Sequence, residues 1–349
     1  MNNSLLARHA ECIFWLARFV ERAENLARIL DVNETFSRDS HGGQNWLSIV
    51  QLHADEEPFF ARHATASAEN VLRFYVTDTE NPTAIISAIA NARENARALR
   101  TLISTEMWVQ LNVFYNRLKG LEDTALAPGA LTPLFTEIKE ACQCFTGVAE
   151  GTFYRDQAWY FYRIGPYIER ANQTAGLLDT KYPLLSNGGG RVSAGDIVQL
   201  HALLRSASGY HAFQRIYSSH LSPARIAGFL LFDPNFPRSV YLCVRQVDAA
   251  LTELKSRYAL CGSNDVADSL KNLRASLDGL SIERILEAGL HDFIDFVRRQ
   301  LVAITLRLST AFFGHRPAED WERWNQRGWE ISREGSGLVG QKADESGIP

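Results

Sequence analysis

Cysteine and methionine are scarce in this 349-residue chain, five and two respectively, and their spacing offers no disulfide or metal framework. Cys142-Gln-Cys144 is a Cys-x-Cys pair, but no second Cys or His pair at metal-ligand spacing stands near it. Cys12, Cys142, Cys243 and Cys261 fall in apolar helical patterns, where a free thiol acts as a small hydrophobe. The cysteines are therefore expected to be reduced core residues. Long hydrophobic runs are also missing, since none approaches the ~18 apolar residues needed to span a bilayer. Charges at Arg8, Glu11 and Arg18 interrupt the N-terminus too early for a signal-peptide core. A cytoplasmic chain without membrane association is the expectation. Nor is there a surplus of one charge sign: 36 Lys and Arg face 40 Asp and Glu, a net charge of −4. That balance gives no general attraction to nucleic acid, so any basic site must be local. Glu-x-x-His, the signature of carboxylate-bridged metal bundles, is absent, and so is the Gly-x-Ser-x-Gly of a nucleophile elbow.

What remains is helix. Hydrophobic residues make up 46% of the chain, ample for a core, and period-two alternation occurs nowhere at useful length. Asn81-Pro82 pairs a cap with a first-turn proline and opens a periodic run expected to form one helix over 82–118. Thr132-Pro133 and Ser222-Pro223 repeat the device, and Ser193-Ala-Gly-Asp196 starts another helix. Asp233-Pro234-Asn235-Phe236-Pro237 reads as a rigid turn between helices. Helical spacing returns from Ile282 to Phe313, loosened at Gly289. Residues 34–44 and 183–192 read as loops. The Gly188-Gly189-Gly190 run lacks the Lys-Ser/Thr of a P-loop and the strand of a Rossmann turn, so it reads as a connector. Tyr210-His211 reads as structural and His315 as a helix-end residue. The domain is expected to end near 314. A polar, partly disordered tail follows over 315–349, in which Trp321 and Trp324 share one helical face and could dock on the body or a partner.

One segment occurs twice. Residues 13–31 and 161–179 align without a gap. Glu21, Arg22, Ala23, Ala27, Leu30 and Asp31 meet Glu169, Arg170, Ala171, Ala175, Leu178 and Asp179. On a helix Ile13, Leu16, Val20, Ala23, Ala27 and Leu30 form a core stripe. Arg18, Glu21, Asn25 and Arg28 fall on an adjacent stripe at three- and four-residue spacing, with Glu24 on the same side. Small Ala23 and Ala27 invite close approach of another helix, so these charges are expected near a seam, where they must be paired. Ala92-Arg93-Glu94-Asn95-Ala96-Arg97 has the same character and continues to Ser104-Thr105-Glu106-Met107-Trp108. Several helices are thus expected to offer carboxylates and guanidinium groups to one polar centre. A structural network and a ligand site both fit that pattern.

These segments resemble the alpha-E family. The resemblance rests on Ala10-Glu11, on Phe14-Trp15-Leu16-Ala17-Arg18-Phe19-Val20-Glu21-Arg22-Ala23-Glu24-Asn25, and on the two segments just quoted. It is carried further by Arg155-Asp156-Gln157-Ala158-Trp159 and by Phe229-Leu-Leu-Phe-Asp233-Pro234-Asn235-Phe236-Pro237-Arg238-Ser239-Val240. It covers about residues 4–314 and implies an all-α multi-helix bundle. It also implies company with circularly permuted ATP-grasp and transglutaminase-like proteins, hence a part in ATP-dependent amide formation, with ATP bound by the partner and no cofactor by this chain. Gly165-Pro166, Asn172 and Gly176 depart from the family pattern, and Pro166 is expected to kink its helix.

On this reading Glu21, Glu94 and Glu169 are the candidate bases for an attacking amine, aided by a raised pKa in a dry cleft. Arg18, Arg22, Glu24, Asn25, Arg28, Arg97, Glu106 and Arg170 are the candidate ligand-binding residues, the arginines gripping carboxylate or phosphate. The alternative is a non-catalytic helical scaffold.

Overall fold

Hydroxyl caps set many of the helix starts. Ser67, Ser104, Ser193, Ser222 and Ser281 each accept a hydrogen bond from a backbone N–H one turn on, and Asp156 does the same for Ala158. At Ser193 the Asp196 carboxylate reaches back to complete a capping box. The computed structural model describes residues 5–39, 46–181, 193–218, 221–258 and 264–315. Among these there are fifteen α-helices and no strand. The first half holds α1 (Ala7–Asp39), α2 (Leu47–His53), α3 (Glu56–Phe60), α4 (Ala68–Val76), α5 (Ile85–Ala98), α6 (Thr105–Lys119) and α7 (Leu131–Thr152). The second holds α8 (Gln157–Thr180), α9 (Ala194–Ser206), α10 (Tyr210–Tyr217), α11 (Pro223–Phe232), α12 (Val240–Tyr258), α13 (Asn264–Asp278), α14 (Ile282–Ala288) and α15 (Leu290–Leu308). No described helix is long and apolar enough to cross a membrane.

Two rings of four helices form the body. In the first, α1 packs on α5, α5 on α6, α6 on α7 and α7 on α1; in the second, α8, α12, α13 and α15 make the same circuit. The long helices α1 and α8 join the rings. They run parallel: Leu5 N–H donates to Gln157 at one end, and Glu21 meets Arg170 further along. Their neighbours run against them, as Asp31–Lys139 and Glu24–Gln143 show for α7, and Arg163–Gln246 and Thr174–Arg238 for α12. Ahead of each ring's second helix the chain crosses over, so that α2 packs on α8 and α9 on α1.

The approach of α1 and α8 depends on Gly165. A Cβ there would stand 2.5 Å from the Phe14 carbonyl oxygen and 3.2 Å from the Ala17 Cβ. Glycine lets the backbones meet where a side chain would force them apart. The expected core stripe of α1 is wholly buried.

Several expectations are corrected. Helix α1 continues to Asp39, so residues 34–39 are not loop. The 82–118 segment is two helices. Asn81 spends its side chain on a turn, accepting from Thr83 N–H and donating to the Phe74 carbonyl, and the helix begins only at Ile85. Ser104 then caps a fresh start by accepting from Met107 N–H at 3.1 Å, which competes with continuation of α5. Gly289, at φ +120°, separates α14 from α15 rather than loosening one helix. Pro166 lies inside the span of α8, which continues to Thr180. Cys144 is exposed, whereas Cys142 and Cys243 are buried. His315 Nε2 lies 2.8 Å from Glu11, tying the end of the body to α1. Residues 183–192, Cys261 and the tryptophans of the tail lie outside the described residues.

Candidate functional site

The duplicated Glu-Arg pairs meet across the α1–α8 seam, and each reaches for the other. Glu21 takes a hydrogen bond from Arg170 Nε at 2.8 Å, and Arg22 Nε donates to Glu169 Oε1 at 2.8 Å. Parallel packing makes this exchange possible. Residues at equal depth on two parallel helices face one another, so a motif that carries both charges satisfies its own copy.

Around this exchange two clusters form. In one, Glu169 Oε2 accepts from Arg18 Nε at 2.8 Å and Arg22 Nη2 at 3.2 Å, while Oε1 also accepts from Gln173 Nε2 at 3.2 Å. In the other, Glu21 Oε1 also accepts from Asn25 Nδ2 at 2.9 Å and Arg238 Nη1 at 3.0 Å. Arg238 donates besides to Asn25 Oδ1 and, at 3.1 Å, to Glu24 Oε1, which Arg28 and Gln143 also reach. Arg238 arrives from the turn before α12, its own carbonyl held by Thr174 Oγ1 at 2.8 Å. Glu169 is 3% exposed and Glu21 4%.

The electrostatics follow from that crowding. Burial pushes the Glu169 carboxyl upward, but Arg22 and Arg18 outweigh it and hold the group at about 2. Glu21 is likewise lowered, its burial overcome by Arg170 and Arg238. Neither carboxylate has the raised pKa expected of a general base. The thiols beside the network stay protonated, since burial raises Cys142 well above the ordinary value and Cys243 to about 12. Next to Arg22 sits His53, lowered to about 4 by burial and then by the arginine, its buried Nε2 without a hydrogen-bond partner.

The predicted residues divide. Arg18, Glu21, Arg22, Glu24, Asn25, Arg28, Glu169 and Arg170 come together. Glu94, Arg97 and Glu106 do not. Glu94 pairs with Arg93 at 3.1 Å and Arg97 at 2.6 Å with about half its side chain exposed, and Glu106 stands exposed in the first turn of α6. Helix α5 turns Ala88, Ala92 and Ala96 inward, which leaves its charged face to solvent. The expected convergence of the 82–118 segment on the polar centre is thereby corrected. Sequence reasoning missed Arg238, Gln173 and His53. Arg238 lay within a quoted motif, directly after a rigid proline turn, and that placement was its only signal.

A small recess opens beside the second cluster, lined by Asn25, Arg170, Gln173, Thr174, Ala207 and Arg238 among others, with about 10 Å³ of accessible space in all, room for roughly one water molecule.

Residues 5–313 match the Alpha-E family model, described as a predicted alpha-helical domain with a conserved ER motif. The chain is 24% identical over 327 residues to an uncharacterized protein of Mycobacterium bovis (strain ATCC BAA-935 / AF2122/97). The same identity relates it to an uncharacterized protein of Mycobacterium tuberculosis (strain CDC 1551 / Oshkosh). Each alignment covers 85% of this chain and 36% of the relative, so the chain spans about a third of those proteins' length. No solved structure matches it.

Proposed function

This chain belongs to the Alpha-E family, and from that premise we propose that it serves ATP-dependent amide formation beside a circularly permuted ATP-grasp protein, holding an anionic reactant rather than deprotonating one. The partner binds ATP and converts a carboxylate to an acyl phosphate, releasing ADP. An amine then attacks the acyl carbon, the C–O bond to phosphate breaks, and amide and inorganic phosphate leave. This chain fixes the amine-bearing reactant by its anionic end, so that attack occurs within one assembly. A transglutaminase-like protein is a further partner of the same system.

One observation carries the reading: five arginines, Arg18, Arg22, Arg28, Arg170 and Arg238, surround three buried glutamates, Glu21, Glu24 and Glu169. A centre with surplus guanidinium groups suits an anion. A carboxylate held at about 2 is a poor proton acceptor near neutrality. The scaffold reading draws on the same fact from the other side, because paired charges can simply fix helix register.

The test mixes purified ATP-grasp partner, ATP and candidate acid and amine substrates with and without this chain, and follows amide product and ADP. Product that requires the chain is expected. Equal product from the partner alone would remove the proposal. A rate that needs the chain yet ignores substitution at Arg170 would select the scaffold.

A further inference from the structure

We propose that residues 317–327 of this chain dock along the first turns of α1, laying Trp321 and Trp324 over Trp15 and Phe19. The contact is intramolecular and independent of amide formation.

One face of α1 is an aromatic ladder. Glu11, Trp15 and Phe19 follow one another at four-residue spacing, so they stack on one side of the helix. Among the described residues Trp15 and Phe19 stay half-buried, their ring centroids 5.6 Å apart. The Arg18 guanidinium lies 4.5 Å from the Trp15 ring and that of Arg22 5.6 Å from the Phe19 ring, which helps hold both rings in place. Aromatic side chains fixed in this way make good interface anchors, because they have little rotamer freedom left to lose.

The chain's own end is delivered to the foot of this ladder. Phe313 packs with its ring 5.3 Å from that of Phe14, Gly314 turns the chain at φ +80°, and His315 Nε2 lies 2.8 Å from Glu11 Oε1. Residues 316–349, outside the described residues, therefore start beside Glu11. Toward its own N-terminus α1 ends about one turn away, at Ala7; in the other direction lie Trp15 and Phe19, about 6 and 12 Å past Glu11. Pro317 followed by Glu319 and Asp320 is a helix-start pattern, and Gly328 is a stop. A helix opened at Pro317 carries Trp321 and Trp324 about 6 and 10 Å from its start, on one face with Ala318 and away from Arg323 and Arg327. The two spacings match ring for ring. Charge matches as well. Residues 317–322 hold Glu319, Asp320 and Glu322 and no base, while the cations beside the ladder include exposed Arg8 and Arg22, whose side chain is 24% exposed.

Hydrogen exchange and photocrosslinking of the full chain test the contact. Amides of residues 319–327 should exchange at least ~10-fold more slowly than those of an unstructured segment. Trp321→Ala combined with Trp324→Ala should restore the unprotected rate while the body keeps its own protection. Both positions lie beyond the matched 5–313 domain, so a change confined to residues 319–327 reports docking rather than unfolding. From the body side, Phe19→Ala should speed the same exchange; if that variant does not fold, the crosslink decides. With benzoylphenylalanine in place of Trp321, irradiation should join that position to the peptide holding Trp15 and Phe19 within one chain. Unprotected amides over 319–327 would overturn the proposal and leave the ladder to a separate partner. Crosslinks between two chains, crosslinks to another part of the body, or protection that survives loss of both tryptophans would overturn it too.

Discussion

Two regions carry nearly the same residues and live in opposite surroundings. Arg22-Ala23-Glu24-Asn25 lies in the α1–α8 seam; Arg93-Glu94-Asn95-Ala96-Arg97 lies on α5, with Glu94 and Arg97 on its outer face and Ala96 turned inward. Glu24 is 5% exposed, while the side chains of Glu94 and Arg97 are 49% and 68% exposed. The difference lies in how many helices surround each segment. Helix α1 is enclosed by α5, α7, α8 and α9, so its polar stripe is covered as well as its apolar one. Helix α5 uses its alanines against α1 and turns its charges to water. An amphipathic pattern fixes which face points to the core, but the fate of the second face depends on helices far away in sequence.

The sharpest test of this contrast is Glu169→Ala. It leaves Arg18 and Arg22 buried without their carboxylate, and losing one partner of a buried pair costs about 3–5 kcal/mol. Urea unfolding would read the loss as a lower midpoint at unchanged slope. A cost below ~1 kcal/mol, the range of exposed pairs, would mean the seam is wet and the two regions alike. The same group sets an acid window. Its folded pKa of about 2 lies below the ordinary 4.5, so the unfolded chain binds the extra proton. Its contribution, on the order of 3 kcal/mol at ~1.4 kcal/mol per pKa unit, is present above pH 4.5 and lost as pH falls toward 2. Glu169→Gln should flatten stability across that interval.

A second titration, smaller in reach, belongs to His53. Lowered from 6.5 to about 4, it stays neutral in the folded chain while the unfolded chain protonates. Its contribution is complete above pH 6.5 and declines as pH falls toward 4, a window displaced upward from that of Glu169. His53→Gln should remove the slope between those values and leave the lower window intact. A slope that persists in the variant would show that His53 meets water in the folded state.

Much of this was legible in the residues. The core stripe from Ile13 to Leu30, the Ser193 and Ser222 caps and the turn at Asp233–Pro237 follow local chemistry, and local chemistry decided them. The duplication of Glu21-Arg22 in Glu169-Arg170 is visible as text. The crossed pairing is not, because it depends on α1 and α8 running parallel at the same depth, in a close approach that Gly165 permits at the Phe14 backbone. Arg238, 217 residues from Glu21, has no local mark beyond its proline turn. Glu94 misled for the opposite reason. Its neighbours copy the seam's composition, and composition does not report enclosure. The break after Ala98 was written in Ser104-Thr105-Glu106, but the periodic apolar residues on either side outweighed a cap signal of about 1 kcal/mol.

The smallest predicted effect lies on the outer face and closes the comparison from that side. Glu94 bonds only arginines that have other engagements. Arg93 donates to Asn112 at 2.7 Å and lies over the rings of Trp108 and Tyr115, and Arg97 is mostly in water. Glu94→Gln therefore removes a screened, exposed charge and should shift stability by no more than ~0.5 kcal/mol. That shift should shrink further in high salt, because the interacting charges face solvent. Unfolding of this variant in urea, at low and high ionic strength, is the measurement. A loss approaching that of Glu169→Ala, or one insensitive to salt, would place Glu94 in a dry environment and return it to the buried centre.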